Sequence, residues 1–419
     1  MIEILVTVAC YLTFFANVGS IGTAVQVAAL GLLFAAAGWA ILLEKVNATP
    51  TSLTEVTLYA VGVGSAVLGM FGTETGPLTY SVGLLGAVIL SSIIARSLSL
   101  ERMLDIGAVV MLLCVLTSIV VERGNVMSTL SISFGRTGLL RFSPLGNHPN
   151  LTGYMFGAGS ILMIRRLFIS KSLLERFVMA GAVLLSWAFT LAASARSSIL
   201  ALFVTGVLTL LVERRVRRVI GGKWIWMGVF AAAVIGVLFS DKIVTYANQM
   251  LELDSSTRGV SSGGSGRVDI WWHGLQTLFD DPFLLIFGGG FRSSSSDVIG
   301  FSTESSYVTI LLDSGIFIGG LVIFAFLSAP YRALRFSLAQ PPQSNTLILA
   351  SAFLTFLMVQ SIFNRYLLAV GNPISLLTLL VLFSVSMRGR SAAEEFEEES
   401  HEESREEVLS SWPPVDKNS

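Results

Sequence analysis

Charged residues are scarce in this chain. Asp, Glu, Lys and Arg together make up only 13% of the 419 residues, whereas hydrophobic residues make up 53%. A soluble globular domain typically has about a quarter of its residues charged, and the mean hydropathy of +0.74 points away from that class as well. The composition therefore excludes an ordinary soluble protein and predicts an integral membrane protein.

Cysteine is nearly absent too. The two cysteines, Cys10 and Cys114, both lie in apolar stretches, so the sequence predicts neither a disulfide framework nor a cysteine-based metal cluster. The formal net charge is −1, which gives no sign of a nucleic-acid partner. We see no internal repeat.

Long apolar runs are abundant instead. Runs of about 17 to 25 apolar residues recur from end to end, and each can cross roughly 30 Å of hydrocarbon as a helix. They predict an all-α polytopic membrane protein with about twelve transmembrane helices and one large extracytoplasmic loop. The predicted spans are 3–18, 21–43, 53–72, 77–95, 103–121, 148–164, 177–193, 196–212, 223–240, 304–328, 345–364 and 367–387.

Basic residues set the predicted orientation. More Lys and Arg fall on the side that holds both termini, with the strongest cluster at 214–218, and this side is expected to be cytoplasmic. Glu55 and Glu74 lie at predicted helix ends and are expected to be solvated. The predicted divisions are scaffold helices 1–121, a region 122–330 with the extracytoplasmic loop 241–303, helices 331–388, and a Glu-rich, disordered tail 389–419.

Residues 122–150 form the first polar segment on the outer side. The segment carries Arg136 and Arg141 and ends with His148, Pro149 and Asn150 at the start of a predicted helix. A proline in the first turn beside asparagine is typical of a helix cap. Exposed N–H donors at a helix start also suit a phosphate, so both interpretations stay open.

Two charged residues stand at predicted helix starts. Arg196 lies in a Ser- and Ala-rich break between apolar helices, where it is either an interfacial arginine or one that holds an anion in a cavity. Glu304 opens the predicted helix 304–328, where the helix dipole favours a carboxylate. It is therefore either a cap or a functional carboxylate, and Tyr307 follows in the same turn.

The stretch 258–320 is rich in Ser, Gly, Arg and Asp between apolar helices, so we expect polar chemistry there. Apolar residues recur at helical spacing from Arg267 to Phe279, and Trp271 and Trp272 suit the headgroup region of a membrane. A surface helix is therefore predicted. The dipeptide Asp-Pro at 281–282 ends it, and a tight FGGGF turn, Arg292 and a serine run follow.

Four segments together resemble the O-antigen ligase and polymerase superfamily of bacterial membrane glycosyltransferases. They are PLGNHPNLTGY (144–154), SARSSILAL (194–202), SGRVDIWWHGLQTLFDDPFLLIFGGGF (265–291) and TESSYVTILLDSGIFIGG (303–320). Their order and spacing look like the family's, over roughly residues 120–330. The ligases commonly carry His-Asn where this chain has Glu304 and Ser305, a difference that looks more like the repeat-unit polymerases.

The resemblance implies a fold similar to GT-C-type membrane glycosyltransferases, with the active site on the outer face of the bacterial inner membrane. The donor would be an oligosaccharide on a polyprenyl diphosphate and the acceptor a sugar hydroxyl of a second glycan, with no metal and no cofactor. Further partners would be the lipid bilayer and other polysaccharide-assembly proteins, such as a flippase or a chain-length regulator. No nucleic acid is expected.

Arginines suit the leaving diphosphate, since their planar, permanently charged forks match phosphate oxygens. A partly desolvated carboxylate suits the acceptor hydroxyl. On this basis the expected catalytic residues are Glu304, Arg196 and Arg267. The expected substrate-binding residues are Arg136, Arg141, His148, Asn150, Arg292, Tyr307, Trp271 and Trp272.

Two other classes of protein stay open. A secondary transporter or flippase of a glycan or small solute also has many spans with both ends inside, although the two halves of this chain do not match and its polar residues gather on one face. A noncatalytic assembly or receptor scaffold would need no cluster of outer arginines.

Overall fold

The computed structural model describes residues 1–46, 51–71, 75–122, 141–212, 266–292, 302–339 and 344–387. Within these ranges the chain is helical and contains no strand, which confirms the all-α class. The helices are α1 (Ile2–Leu12), α2 (Gly22–Leu42), α3 (Leu53–Phe71), α4 (Thr75–Ser97), α5 (Leu100–Val121), α6 (Pro149–Ile169), α7 (Leu173–Ala192), α8 (Arg196–Val212), α9 (Arg267–Asp280), α10 (Pro282–Phe287), α11 (Ser306–Ala339), α12 (Ser344–Phe363) and α13 (Pro373–Met387).

Seven of these helices, namely α2, α3, α4, α5, α7, α11 and α12, are long and apolar enough to cross a membrane. The bundle turns large apolar side chains outward, such as Phe34, Leu42 and Phe168, which are 71%, 78% and 78% exposed. Apolar exposure on this scale suits contact with lipid. The chain is thus a multi-pass α-helical membrane protein. The count of twelve spans stays a prediction, and the predicted span 223–240 lies outside the described residues.

Helix α6 runs through the middle of the bundle, and every residue from Asn150 to Met163 is buried. A Cβ atom added at Gly153 would lie 2.2 Å from the Cβ of Ala195, so α8 approaches α6 closely only because this position is glycine. Small residues let membrane helices pack at short range. The start of α6 is therefore held at the centre of one end of the bundle.

The opposite end of the bundle is held by ion pairs, and Glu55 belongs to them. Glu55 is fully buried, and its carboxylate accepts hydrogen bonds from Arg96 at 2.9 and 3.1 Å and from Ser92 at 2.5 Å. It also accepts the N–H of Ser52 at 2.8 Å, while the Ser52 hydroxyl accepts the N–H of Glu55, a reciprocal helix cap. The expectation of a solvated Glu55 is wrong, because arginine and cap donors replace water. Glu74 lies outside the described residues.

We expect Glu55→Ala to lower the free energy of unfolding by about 3–5 kcal/mol, because Arg96 would keep its charge in a site that is only 20% exposed. Glu3→Ala is a matched control, since Glu3 pairs with Arg102 at 2.9 Å but both side chains are about half exposed or more, and such pairs contribute at most about 1 kcal/mol. Unfolding of both variants in detergent micelles measures the difference. Equal losses would contradict the assignment.

Helix α11 is broken at Gly315, whose backbone angles are φ 72° and ψ 171°. The predicted continuous helix 304–328 is wrong in this respect, and the helix also begins later, at Ser306, and extends to Ala339. Glu304 precedes the helix with a left-handed φ of 51°, so its predicted place in the first helical turn is wrong as well. The segment before α11 thus forms a loop at the end of the bundle remote from Glu55.

This end is called the site end below. It is formed by the loops 13–21, 141–148, 193–195 and 364–372 and by the segments 266–292 and 302–305. Hydrogen bonds join several of these loops: Asn17 Nδ2 donates to Asn147 Oδ1 at 2.7 Å, the Phe142 N–H donates to the Ala192 carbonyl at 3.0 Å, and Arg365 Nη1 donates to Ser302 Oγ at 2.8 Å. Arg136, most of the predicted loop 241–303 and the tail 389–419 lie outside the described residues.

Candidate functional site

A cavity of about 450 Å³ opens at the site end. Its wall combines the α1–α2 connection, residues of α2 and α3, the start of α6, the segment after α10, the first half of α11 and the α12–α13 loop. A volume of this order suits a ligand of small-molecule size. The charged residues in the wall are Arg292, Glu304, Asp313 and Arg365.

Glu304 and Arg365 are linked through Ser302. Arg365 Nη1 donates to Ser302 Oγ at 2.8 Å, and Ser302 Oγ donates to Glu304 Oε1 at 3.2 Å. The Glu304 carboxylate therefore bonds a neighbouring hydroxyl and not the N–H groups of α11. A half-buried carboxylate beside an arginine, both facing a cavity, is a candidate acid–base site.

Strained backbone collects in these loops. Among the described residues, five other than glycine have a positive φ, and four of them lie at the site end: Leu145, Ser194, Arg292 and Glu304. Each such conformation costs of order 1–3 kcal/mol and persists only where the surroundings impose it. The loops of the site end are thus held in one arrangement by the packing around them.

His148 caps the N-terminus of α6. Its Nδ1 accepts the N–H of Asn150 at 3.2 Å, and the Tyr366 hydroxyl lies 3.4 Å from the same nitrogen. The pKa of His148 is lowered, first because its ring is partly withdrawn from water; Glu304 opposes this shift, and the charges of Arg141, Arg365 and Arg267 add to it. The neutral ring with an unprotonated Nδ1 is the form that serves as a cap. The predicted helix start with Pro149 in its first turn is confirmed, the capping residue is His148 and not Asn150, and the phosphate interpretation stays a prediction.

Arg141 ties the start of α6 to the turn before α8. Its guanidinium donates to the carbonyls of Ala193 at 2.8 Å and Ser194 at 3.3 Å and to Asn150 Oδ1 at 3.0 Å. These bonds use three of the donors of Arg141 and hold Asn150 in place. Neither residue lines the cavity, and both support its rim.

The FGGGF turn docks against the break in α11. The N–H of Gly289 donates to the Leu312 carbonyl at 2.8 Å, and the N–H of Gly290 donates to the Asp313 carbonyl at 3.0 Å. Carbonyls at the end of a helical segment have no partner within it, so these two bonds satisfy groups that the break at Gly315 would otherwise leave open. We call residues 287–292 together with 313–315 the glycine clasp.

The glycine clasp depends on the close approach of two backbones. A Cβ at Gly288 would lie 2.4 Å from the nitrogen of Ser314, and a Cβ at Gly315 would lie 2.2 Å from the carbonyl oxygen of Ile286. Both glycines also have a positive φ, which a residue with a side chain rarely adopts. Glycine is therefore required on both sides of the contact.

The glycine clasp sets the position of Arg292. The N–H of Arg292 donates to Asp313 Oδ2 at 3.0 Å, and its guanidinium lies 3.8 Å from the centre of the Tyr80 ring, a cation–π contact. Arg292 thus reaches the cavity with its backbone held by the carboxylate of Asp313 and its guanidinium stacked on the ring of Tyr80.

Arg196 and Arg267 lie outside the cavity wall. Arg196 is the first residue of α8, and Arg267 is the first residue of α9. The charge of Arg267 acts on the pKa of His148 and also on that of Tyr366, which burial raises. Arg267 is therefore electrostatically part of the site end. The two serines that follow Arg196 are bound by amides at the end of α12. Gln360 Nε2 donates to Ser198 Oγ, and Asn364 Nδ2 donates to Ser197 Oγ at 3.2 Å.

The aromatic candidates divide between packing and surface. The predicted helix is confirmed as α9 (Arg267–Asp280), and its place on the membrane surface stays a prediction. Trp271 packs on Phe363 with ring centres 5.9 Å apart, whereas Trp272 is 64% exposed. The hydroxyl of Tyr307 donates to the Met358 carbonyl at 2.9 Å, so Tyr307 ties α11 to α12 and does not line the cavity. Trp272 is the one of these three aromatic residues whose side chain is mostly exposed.

Several cavity residues escaped the sequence analysis: Asn17, Gln26, Asp313, Arg365 and Tyr366. Arg365 and Tyr366 stand at the break between two apolar runs, before the sequence GNP, and a polar break of this kind is a usable signal. Asn17 and Gln26 lie in the N-terminal region that the sequence indicated only as scaffold. Only folding brings these segments to one cavity.

Comparison of the sequence with models of known protein families gives no match, and comparison with curated protein sequences gives none either.

Proposed function

We propose that this protein is a membrane glycosyltransferase that polymerises or ligates repeat units of a surface polysaccharide such as O-antigen, capsule or exopolysaccharide. The donor is an oligosaccharide on a polyprenyl diphosphate, and the reaction takes place on the outer face of the bacterial cytoplasmic membrane. One observation carries the proposal: Arg292, Arg365 and the carboxylate of Glu304, from separate parts of the chain, face one open cavity at the end of a membrane bundle.

The chemistry follows from those charges. The acceptor oxygen forms a bond to the anomeric carbon of the donor, and the bond from that carbon to the diphosphate oxygen breaks. The diphosphate leaves with the electron pair, where Arg292 and Arg365 offset its growing charge. The proton of the acceptor hydroxyl passes to Glu304, which acts as the general base.

The distribution of charge supports an outward-facing site. Among the described residues, nine lysines and arginines lie at the end opposite the site end: Lys45, Arg96, Arg102, Arg165, Arg166, Lys171, Arg176, Arg332 and Arg335. Five lie at the site end: Arg141, Arg196, Arg267, Arg292 and Arg365. Cytoplasmic loops are the ones rich in basic residues, so this bias favours cytoplasmic termini and an extracytoplasmic cavity.

We expect Arg365→Ala to lower the rate of glycan transfer about 10²-fold, the effect of removing one group that stabilises a developing anion. Arg365→Lys should recover only part of the rate, because an ammonium group lacks the planar fork of a guanidinium. Product formation by both variants in nanodiscs measures the effect. A rate within threefold of the wild type for Arg365→Ala would show that the diphosphate is held elsewhere.

A secondary transporter or flippase is the second candidate, and the break in α11 favours it, because transporters commonly bind ions at interrupted helices. The glycine clasp weighs against this candidate. The carbonyls of Leu312 and Asp313 already accept N–H donors from Gly289 and Gly290, so each is less available to a transported cation than a carbonyl without a partner would be.

The test is direct. Purified protein in nanodiscs is incubated with a polyprenyl-diphosphate oligosaccharide, and the products are resolved by gel electrophoresis and mass spectrometry. A ladder of lengthening glycans supports a polymerase, and a single transfer to an added acceptor supports a ligase. An untouched donor in the presence of native acceptors would contradict the proposal and favour the transporter.

A further inference from the structure

The cavity wall contributed by the N-terminal region carries amides and no charge. Gln26 lies in α2, a helix that is otherwise almost entirely apolar, and it lines the cavity together with Asn17. Gln26 is only half buried, and it makes no hydrogen bond to any described residue. An amide within a membrane helix is costly unless it has a partner, and such a residue is a functional candidate by default. Because Gln26 is part of the cavity wall, its amide is open to groups that enter the cavity.

The structure leaves room for the Gln26 amide. Its Nε2 lies 3.0 Å from the point where a Cβ atom of residue 371 would stand, and that residue is glycine. A larger residue at position 371 would crowd the amide. The α12–α13 loop thus has a gap where the side chain of Gln26 reaches the cavity.

Asn17 is oriented by its neighbour. Asn147 Nδ2 donates to the carbonyls of Phe14 at 3.3 Å and Pro144 at 3.0 Å, so the Oδ1 of Asn147 is its acceptor. That oxygen receives Asn17 Nδ2 at 2.7 Å. With its nitrogen held in this way, the side-chain oxygen Oδ1 of Asn17 stays available as an acceptor, and Asn17 is an exposed residue of the cavity wall.

We propose that Asn17 and Gln26 form a neutral subsite that binds hydroxyl groups of a sugar ring. This inference rests on the proposed function and deepens it. A carboxamide both donates and accepts, as a sugar hydroxyl does, whereas the guanidinium groups of Arg292 and Arg365 only donate and carry the positive charge that suits an anionic diphosphate. The cavity is then divided by chemistry: Arg292 and Arg365 hold the diphosphate, and the N-terminal amides select the glycan.

Gln26→Leu tests the subsite, because leucine has a similar size and is more favourable than glutamine in a membrane helix, so the variant should fold. Val27→Leu is the matched control on the same helix, at a position that is 65% exposed. We expect Gln26→Leu to raise the KM for a polyprenyl-diphosphate oligosaccharide about three- to tenfold with kcat within about twofold, the effect of losing neutral hydrogen bonds. Gly371→Ala should act in the same direction.

Binding measurements distinguish the role of the amides from the role of the arginines. Free oligosaccharides of hexoses and N-acetylhexosamines are titrated one at a time into the protein in nanodiscs, and inorganic diphosphate is titrated in a separate experiment. We expect Gln26→Leu to weaken the oligosaccharides by the same factor and to leave inorganic diphosphate unchanged. The subsite would be overturned if the wild-type protein transfers glycans while Gln26→Leu and Gly371→Ala leave both KM and oligosaccharide binding unchanged. The proposed function would then still stand. Oligosaccharide binding that depends on Gln26 in a protein that transfers nothing would support the subsite and overturn the transferase.

Discussion

Glu304→Gln is expected to lower the rate of glycan transfer by about 10²–10⁴-fold, the usual contribution of a general base. Glutamine keeps the length of the side chain and an oxygen that can accept the Ser302 hydroxyl, which lies 3.2 Å from Glu304 Oε1. The substitution therefore removes the proton acceptor and the charge while it leaves the local contacts in place. Initial rates with a polyprenyl-diphosphate oligosaccharide, resolved by gel and mass spectrometry, measure the effect.

Ser302→Ala is the companion variant. It removes the hydroxyl that joins Arg365 to Glu304 but leaves both charged groups, so only a several-fold loss is expected, the effect of one neutral hydrogen bond. Both variants should elute and unfold like the wild type in detergent. A Glu304→Gln protein that is folded and as active as Ser302→Ala would show that the carboxylate only orders the loop before α11.

The helices could be predicted from the sequence, and the interruption of α11 could not. Apolar runs mark the helices because each must satisfy its own backbone in lipid. The break at Gly315 depends on a partner 25 or so residues earlier in the chain, since the FGGGF turn supplies the N–H groups that Leu312 and Asp313 need. An apolar run interrupted only by Asp-Ser-Gly looks continuous until that turn is placed beside it.

The polar residues of the site were partly predictable. Glu304, Arg292 and His148 stand out because charged or ionisable groups are rare in this chain, and the structure places all three at one cavity. Gln26 and Arg365 could not be assigned to it, since they lie about 340 residues apart and sequence spacing says nothing of their proximity. Tyr307 shows a second limit of sequence spacing. Its place beside Glu304 in the sequence suggested a shared role, but one helical turn directs its hydroxyl to Met358.

Gly315→Ala is expected to be the most damaging single substitution at the glycine clasp. A Cβ at this position would lie 2.2 Å from the Ile286 carbonyl oxygen, and the φ of 72° is itself unfavourable for alanine. The clash and the unfavourable φ affect the same backbone, which is packed against Ile286 and cannot move to relieve either one. We therefore expect a loss of about 3 kcal/mol in the free energy of unfolding. We also expect a loss of about 10²–10³-fold in transfer rate, as for removal of a charge-stabilising donor.

The two losses have one cause if the clasp positions Arg292. If the FGGGF turn cannot pack against α11, the N–H of Arg292 loses its 3.0 Å hydrogen bond to Asp313 Oδ2. The guanidinium of Arg292 then moves out of the cavity. Gly320→Ala is the matched control, because it lies in the same helix and nothing stands within 4 Å of its added Cβ; it should be neutral or slightly stabilising. Rates and unfolding in detergent are compared for both variants. Equal behaviour of the two would mean that the cavity arginine is held by Tyr80 and not by the broken helix.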